Sequence, residues 1–305
     1  MENKIPIKVD DNLDLGYEKT AGLVYYFLFL PVMFFTTAWV ALKKLLFGSE
    51  LKINAFWFDG LSPACHEIKE NATTWRALDI IYNYLPPKNF SLSERVTYFW
   101  NNLSSVRATR NRLKLAKYCL RKEIERLLNN SSEVRIISVA SGSAQGVIDI
   151  MKEFKEKNIN IKAKFLDLDK TALEHSKKLA EQAGIKDKII FVNKSAKHLE
   201  EIAKEFRPQI IEVVGFIMYR PDERVIKLIE RIYRILPRDG ILLISQDNHV
   251  IEKFFLYYVA NWPLIFRSPK KFTELLIKGG FNPKNCKIVY EPLKMHGIAI
   301  CRKTI

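Results

Sequence analysis

From residue 133 onward, short runs of β-branched and apolar residues alternate with stretches whose apolar positions recur every three to four residues. The runs VRIISVA (134–140), IKAKFLDL (161–168), KIIFVN (188–193), QIIEVVG (209–215) and GILLIS (240–245) read as strands buried on both faces. Between them, 144–156, 170–183, 196–206 and 221–236 carry the helical period. Strands alternating with helices of this length predict βαβ units, hence an α/β chain of the doubly wound class. The end differs. After a long helical insertion (250–279), CKIVYEP (286–292) and HGIAICRK (296–303) stand too close together for a crossover helix. They predict a terminal antiparallel hairpin on a seven-stranded, mostly parallel sheet.

Upstream the pattern changes. Residues 21–42, AGLVYYFLFLPVMFFTTAWVAL, hold no charge over 22 positions, which at about 1.5 Å per residue approaches the thickness of a bilayer core. Tyr25, Tyr26 and Trp39 stand near its ends as interfacial aromatics do, and Lys43, Lys44 and Lys52 follow. This predicts membrane association with the rest of the chain on the cytoplasmic side. The stretch starts too far in, behind three Lys and five acidic residues, for a cleaved signal peptide. Pro31 admits a spanning, re-entrant or surface-lying helix, and burial against the protein's own core or a dimer partner is the alternative. Residues 51–130 predict an all-α region, with helices over 74–84, 91–102 and 106–128. In the last, Arg107, Arg110, Lys114, Lys117 and Arg121 share a face. That face either meets lipid head groups or phosphates, or is solvated with Leu113, Leu120, Ile124 and Leu127 turned inward. Three segments result: 1–50, 51–130 and 131–305.

Composition narrows the partners. Of 305 residues, 49 are Lys or Arg and 34 Asp or Glu, a net +15 that favours a polyanionic partner such as an acidic membrane surface or nucleic acid. Twelve Gly and twelve Pro are too few for a collagenous or Pro-rich disordered chain. Cys65, Cys119, Cys286 and Cys301 lie far apart without a CxxC pair or Cys/His ligand spacing, which predicts a reducing compartment and no metal site.

The first strand and its turn read ISVASGSAQG (137–146), and the second strand ends FLDLDKTAL (165–173). Together with five parallel strands and a final hairpin, these residues resemble the class I S-adenosylmethionine-dependent methyltransferases over about 134–303. Gly142 matches the central glycine of that family's acidic-x-Gly-x-Gly-x-Gly turn, while Ala140 and Ala144 replace the outer glycines and Ser138 the acid. Alanine suffices there where φ stays negative. The resemblance implies S-adenosylmethionine as cofactor, held by Ala140, Ser141, Gly142 and Ala144, by Asp167 on the ribose with Leu168 beside it, by Ser195 and Ala196 near the adenine, and by Gly215. Asp169 and Ser195 also suit helix N-caps.

The fourth strand runs EVVGFIMYRPD (212–222), without the Asn/Asp-Pro-Pro-aromatic signature of base methyltransferases, which counts against nucleic acid. It is similar instead to the Gly-Leu-Phe-Asp-Tyr stretch of a bacterial group proposed to esterify hydroxy fatty acids, with Met218 in place of the acid. Tyr219, Arg220 and His249 are the catalytic candidates, His249 as a base or else a structural or surface group, and Arg220 as a carboxylate or phosphate clamp or else a cap on its own loop; Asp247 and Asn248 lie beside them, and Glu212 reads as locally paired. The insertion sets Phe254, Phe255, Tyr257, Tyr258, Trp262 and Phe266 beside Lys253, Arg267, Lys270 and Lys271. Such a strip suits an apolar tail with an anionic head, or a membrane interface, or else fills a core. The expectation is a membrane-associated methyltransferase acting on a lipid-like or other hydrophobic small molecule, with homo-oligomerisation left open. Aminocarboxypropyl transfer, as in nicotianamine-synthase-like proteins, and a non-catalytic membrane-anchored interaction domain are the alternatives.

Overall fold

A computed structural model describes residues 5–9, 15–19, 23–48, 55–86 and 91–304. Of the positions singled out above, Lys52 and the side chains of Tyr25 and Tyr26 lie outside the described residues. The strands are β1 (Ile7–Val9), β2 (Glu133–Val139), β3 (Asn160–Leu166), β4 (Ile189–Val192), β5 (Ile210–Val213), β6 (Ile241–Asp247), β7 (Cys286–Tyr290) and β8 (His296–Arg302). The helices are α1 (Leu23–Phe47), α2 (Pro63–Glu70), α3 (Trp75–Tyr82), α4 (Leu92–Asn101), α5 (Ser104–Leu128), α6 (Gln145–Glu156), α7 (Lys170–Gln182), α8 (Leu199–Phe206), α9 (Asp222–Ile235), α10 (Lys253–Tyr258) and α11 (Pro269–Lys278). The chain forms two compact units, one of residues 1–17, 112–248 and 265–305, the other of 18–111 and 249–264.

The first unit is a three-layer sandwich on a sheet of order β1-β7-β8-β6-β5-β2-β3-β4. Strands β2 to β6 pair in parallel, and β8 runs antiparallel between β6 and β7. The doubly wound sheet and its terminal hairpin are those the hydrophobic pattern predicts. The strand number differs, eight in place of seven, because Ile7–Val9 pair in parallel with Ile288–Tyr290. A three-residue strand is too short to leave a periodic signal, and Ile7 is half exposed at the sheet edge. Successive strand residues serve opposite faces. Ile137, Val139, Ile211 and Val213 meet α8, α9 and α11, whereas Ile136, Ile210, Ile241 and Leu243 meet α5, α6 and α7.

The second unit holds α1 to α4, α10 and the start of α5. Its centre is aromatic: the Phe58 ring lies 5.1 Å from Trp100 and 5.6 Å from Phe255. Ser91 and Glu94 close a capping box on α4, Ser62 caps α2, and Glu252 accepts the Ser104 N–H at the start of α5 (2.9 Å). Helix α1 runs through Pro31 and packs along α10, with Met33 and Val40 buried and Lys44 Nζ donating to Asn261 Oδ1 at 3.1 Å. Self-burial does not account for α1, since Phe34, Phe35, Leu45 and Phe47 are 67%, 70%, 82% and 71% exposed. By length and composition, Leu30–Phe47 could cross a membrane.

Two sequence expectations are corrected. The basic stripe of α5 serves intramolecular contacts: Arg107 and Lys114 donate to the carbonyls of Lys19 and Gly16, Arg110 grips Glu18 with two nitrogens, Lys117 meets Asp149 (2.8 Å) and Arg121 meets Glu153 (2.7 Å). The aromatic-basic strip of the insertion is likewise divided. Phe255, Trp262 and Arg267 are buried, and only Phe254 and Tyr257 among its named aromatics are largely exposed.

Gly279 closes α11 against Ile229 of α9, where an added Cβ would overlap Ile229 Cγ2. Gly279→Ala should therefore lower stability by about 2 kcal/mol through overpacking, read from urea unfolding. A loss below about 0.5 kcal/mol would show that the two helices are not packed this closely.

Candidate active site

The site grows from the carboxyl ends of the parallel strands, where open α/β sheets hold ligands at the reversal of strand order, here between β2 and β5. After β2 the chain turns into α6 through Ala140, Gly142 and Ala144, with φ of 51°, 54° and 51°. This corrects the expectation that the alanines keep negative φ. Both adopt the left-handed conformation that glycine takes freely, at roughly 1 kcal/mol each. The strain is held by a ring of hydrogen bonds: Ser141 N–H to the Leu166 carbonyl (3.1 Å), Ala144 N–H to the Ser141 carbonyl (2.8 Å) and Gly142 N–H to Asp167 Oδ2 (2.8 Å). Ser141 Oγ is buried with no hydrogen-bond partner among the described residues, a polar atom awaiting a ligand.

Asp167 leaves β3 half-buried, and its other oxygen accepts the Asp169 N–H at 2.9 Å. One lone pair per oxygen remains for a vicinal diol. Asn193, which sequence reasoning missed, ties this exit down by donating to the carbonyls of Asp167 and Leu168 (3.0 and 2.9 Å). Leu168 is 66% exposed, an apolar surface ready to carry a planar ring. Asp169 caps α7 through the Thr171 N–H (2.8 Å), and Ser195 caps the short helix that Ala196 begins.

At the tip of β5, Gly215 takes φ 80° and donates its N–H to Ser245 Oγ at 2.8 Å. A Cβ there would lie 3.4 Å from the Arg112 guanidinium, so glycine keeps room above a buried cation. Ser138 donates to Glu212 Oε2. Burial pushes the Glu212 carboxyl up to about 7, against the lowering pull of the Ser138 hydroxyl, the Val214 backbone and Arg112.

Beside it, Arg112, Asp247 and His296 form a buried cluster: His296 Nδ1 lies 2.7 Å from Asp247 Oδ1, and Arg112 Nη1 3.8 Å from the same oxygen. Burial alone would raise the Asp247 carboxyl, but His296 and Arg112 outweigh it and hold it below the usual carboxylate range. The Asp247 carboxylate at Nδ1 holds the imidazole in one orientation. His296 opens β8 directly opposite Asp247, a pairing across the hairpin that no local sequence signal shows. His249 is exposed and belongs to the other compact unit. Tyr219 and Arg220 are half-buried after β5, with the Arg220 guanidinium 5.0 Å over the Phe216 ring. Buried Arg267 braces that loop by donating to the carbonyls of Ile217 (3.1 Å) and Arg220 (2.6 Å), to Gln246 Oε1 (2.9 Å) and to Asp222 Oδ1 (2.8 Å).

A glycine-centred turn tied to an acid at the next strand tip, on a sheet of this order closed by an antiparallel hairpin, defines the class I methyltransferase fold. The family described as "Putative methyltransferase" matches residues 37–289, and the chain belongs to it. The S-adenosylmethionine that the sequence resemblance implies fits the residues present: the orphaned Ser141 hydroxyl, the half-buried Asp167 and the exposed Leu168. Among solved structures, a protein of Bordetella parapertussis described as a possible exported protein is similar over 90% of this chain and 96% of its own, at 16% identity and TM-score 0.66. The pyocyanin biosynthetic protein PhzM is similar over 95% and 74% of the two chains (14% identity, TM-score 0.50). The citrinin polyketide synthase CMeT domain is similar over 80% and 66% (13% identity, TM-score 0.51). No curated protein matches the sequence.

Replacing Asp247 removes a buried counter-charge of Arg112. Asp247→Asn should cost about 3 kcal/mol at pH 7 in urea unfolding. Because the folded carboxyl sits below its unfolded value, its contribution is present above about pH 4 and lost as pH falls through the folded value. The gap between wild type and variant therefore narrows below about pH 4, and a gap independent of pH would refute the charge assignment.

Proposed function

We propose that the protein transfers the methyl group of S-adenosylmethionine to a hydrophobic, lipid-like small molecule at the cytoplasmic face of a membrane. The arrangement that carries the cofactor half is the strained β2 turn latched to Asp167, with Leu168 bare beside it. The cofactor supplies an electrophilic methyl on a sulfonium, so the protein's work is to orient the acceptor, exclude water and remove a proton. For a hydroxyl or amine acceptor, the His296 imidazole, oriented by Asp247, is a candidate base alongside His249. A carboxylate acceptor needs no base, and Arg220 is placed to clamp it. Tyr219 borders the same loop.

The lipid half rests on α1. Its open apolar face is followed by Lys43, which lies 4.5 Å over the Trp39 ring, and by Lys44, an arrangement suited to the boundary between acyl chains and anionic head groups. Its partner α10 adds exposed Phe254 and Tyr257, with Lys253 Nζ 4.7 Å over the Phe254 ring. Packing along α10 favours a helix lying in the membrane surface over one that spans it. Family membership favours methyl transfer over the aminocarboxypropyl and non-catalytic readings.

Calorimetric titration with S-adenosylmethionine should show binding that Asp167→Ala weakens at least tenfold; an unchanged affinity would remove Asp167 from the ribose. Wild type should co-sediment with phosphatidylglycerol vesicles and far less with phosphatidylcholine vesicles. The double variant Phe34→Glu/Phe35→Glu should remain in the supernatant while still binding the cofactor, and co-sedimentation unaffected by that change would overturn the role given to α1.

A further inference from the structure

The turn after β2 lacks an acid, because Ser138 stands where the resembling methyltransferases carry one. The cofactor nevertheless brings an α-ammonium, and a cation removed from water needs a carboxylate to replace its hydration. Glu212 occupies the register position directly opposite Ser138 on β5, on the same face of the sheet, and accepts the Ser138 hydroxyl. Both residues stand next to last in their strands, so the carboxylate lies at the carboxyl edge beside the turn. Its neighbours are defined. Across β6 the opposing residue is Leu243, across β3 the residue opposite Ser138 is Phe165, and from α5 the facing charge is Arg112, which also meets Asp247.

We propose that Glu212 supplies, from the adjacent strand, the acid that the β2 turn lacks, and receives the α-ammonium of S-adenosylmethionine with the Ser138 hydroxyl orienting it. The proposal rests on the cofactor reading above. A carboxyl group pushed up to about 7 has a linked consequence. Arrival of the ammonium favours the carboxylate, so below about pH 7 binding converts COOH and NH3+ into the pair COO− and NH3+ and releases the carboxyl proton to buffer. Affinity then rises with pH up to about 7 and levels off.

The test titrates the full chain with S-adenosylhomocysteine, which keeps the ammonium, and with methylthioadenosine, which lacks it. Glu212→Gln should weaken S-adenosylhomocysteine at least tenfold, leave methylthioadenosine within twofold, and abolish the proton release measured by calorimetry at pH 6 in buffers of different ionisation enthalpy. Retained methylthioadenosine binding also shows that the variant folds. Equal weakening of both ligands overturns the proposal in favour of a structural role, and unchanged S-adenosylhomocysteine affinity overturns it directly. Wild type that binds neither ligand overturns the cofactor reading itself, and the proposal with it.

Discussion

The hydrogen bond from the Gly142 N–H to the Asp167 carboxylate joins the exits of two neighbouring strands, and the geometry of the cofactor site follows from it. A turn with three left-handed residues, two of them alanine, has no intrinsic preference for its shape. It persists because an acid one strand away neutralises its inward N–H and because β2 and β3 are paired along their whole length. Asp167 is thus a part of the scaffold, and under the proposed function the same carboxylate is the one assigned to the ribose.

The sheet was legible because its strands are buried on both faces and leave continuous β-branched runs, so 134–140 and 209–215 mark β2 and β5 to within two residues at each end. The exit of β3 was legible because FLDLDKTAL places a strand end before a helix that Asp169 caps. What stayed hidden depends on partners distant in sequence. His296 acquires its meaning from register with Asp247, and Arg112 from burial at the edge of the strands within a helix whose other basic residues looked like a surface stripe. His249 looked attractive because it follows β6 directly, yet adjacency in the chain did not bring it into the sheet unit.

The stripe carries a wider lesson about a chain of net charge +15. Spacing on a helix establishes that basic residues share a direction, but whether they are available is decided by what else needs a counter-charge. On α5, Asp149 and Glu153 of α6 take two of them, and Glu18 another. The excess charge therefore does not sit as one anion-binding face on that helix.

The pairing of β1 with β7 bears on how the chain comes together during synthesis. Ile7 is made well before its partner Ile288, and β7 in turn needs β8 to join it to the sheet. The sheet can grow from β2 to β6 while its edge strand waits without a partner, and the longest-range pairing in the fold forms last. Once in place, the three-residue strand shortens the exposed edge that β7 would offer to another chain, so a segment too small to register in the hydrophobic pattern guards the finished sheet against edge-to-edge association.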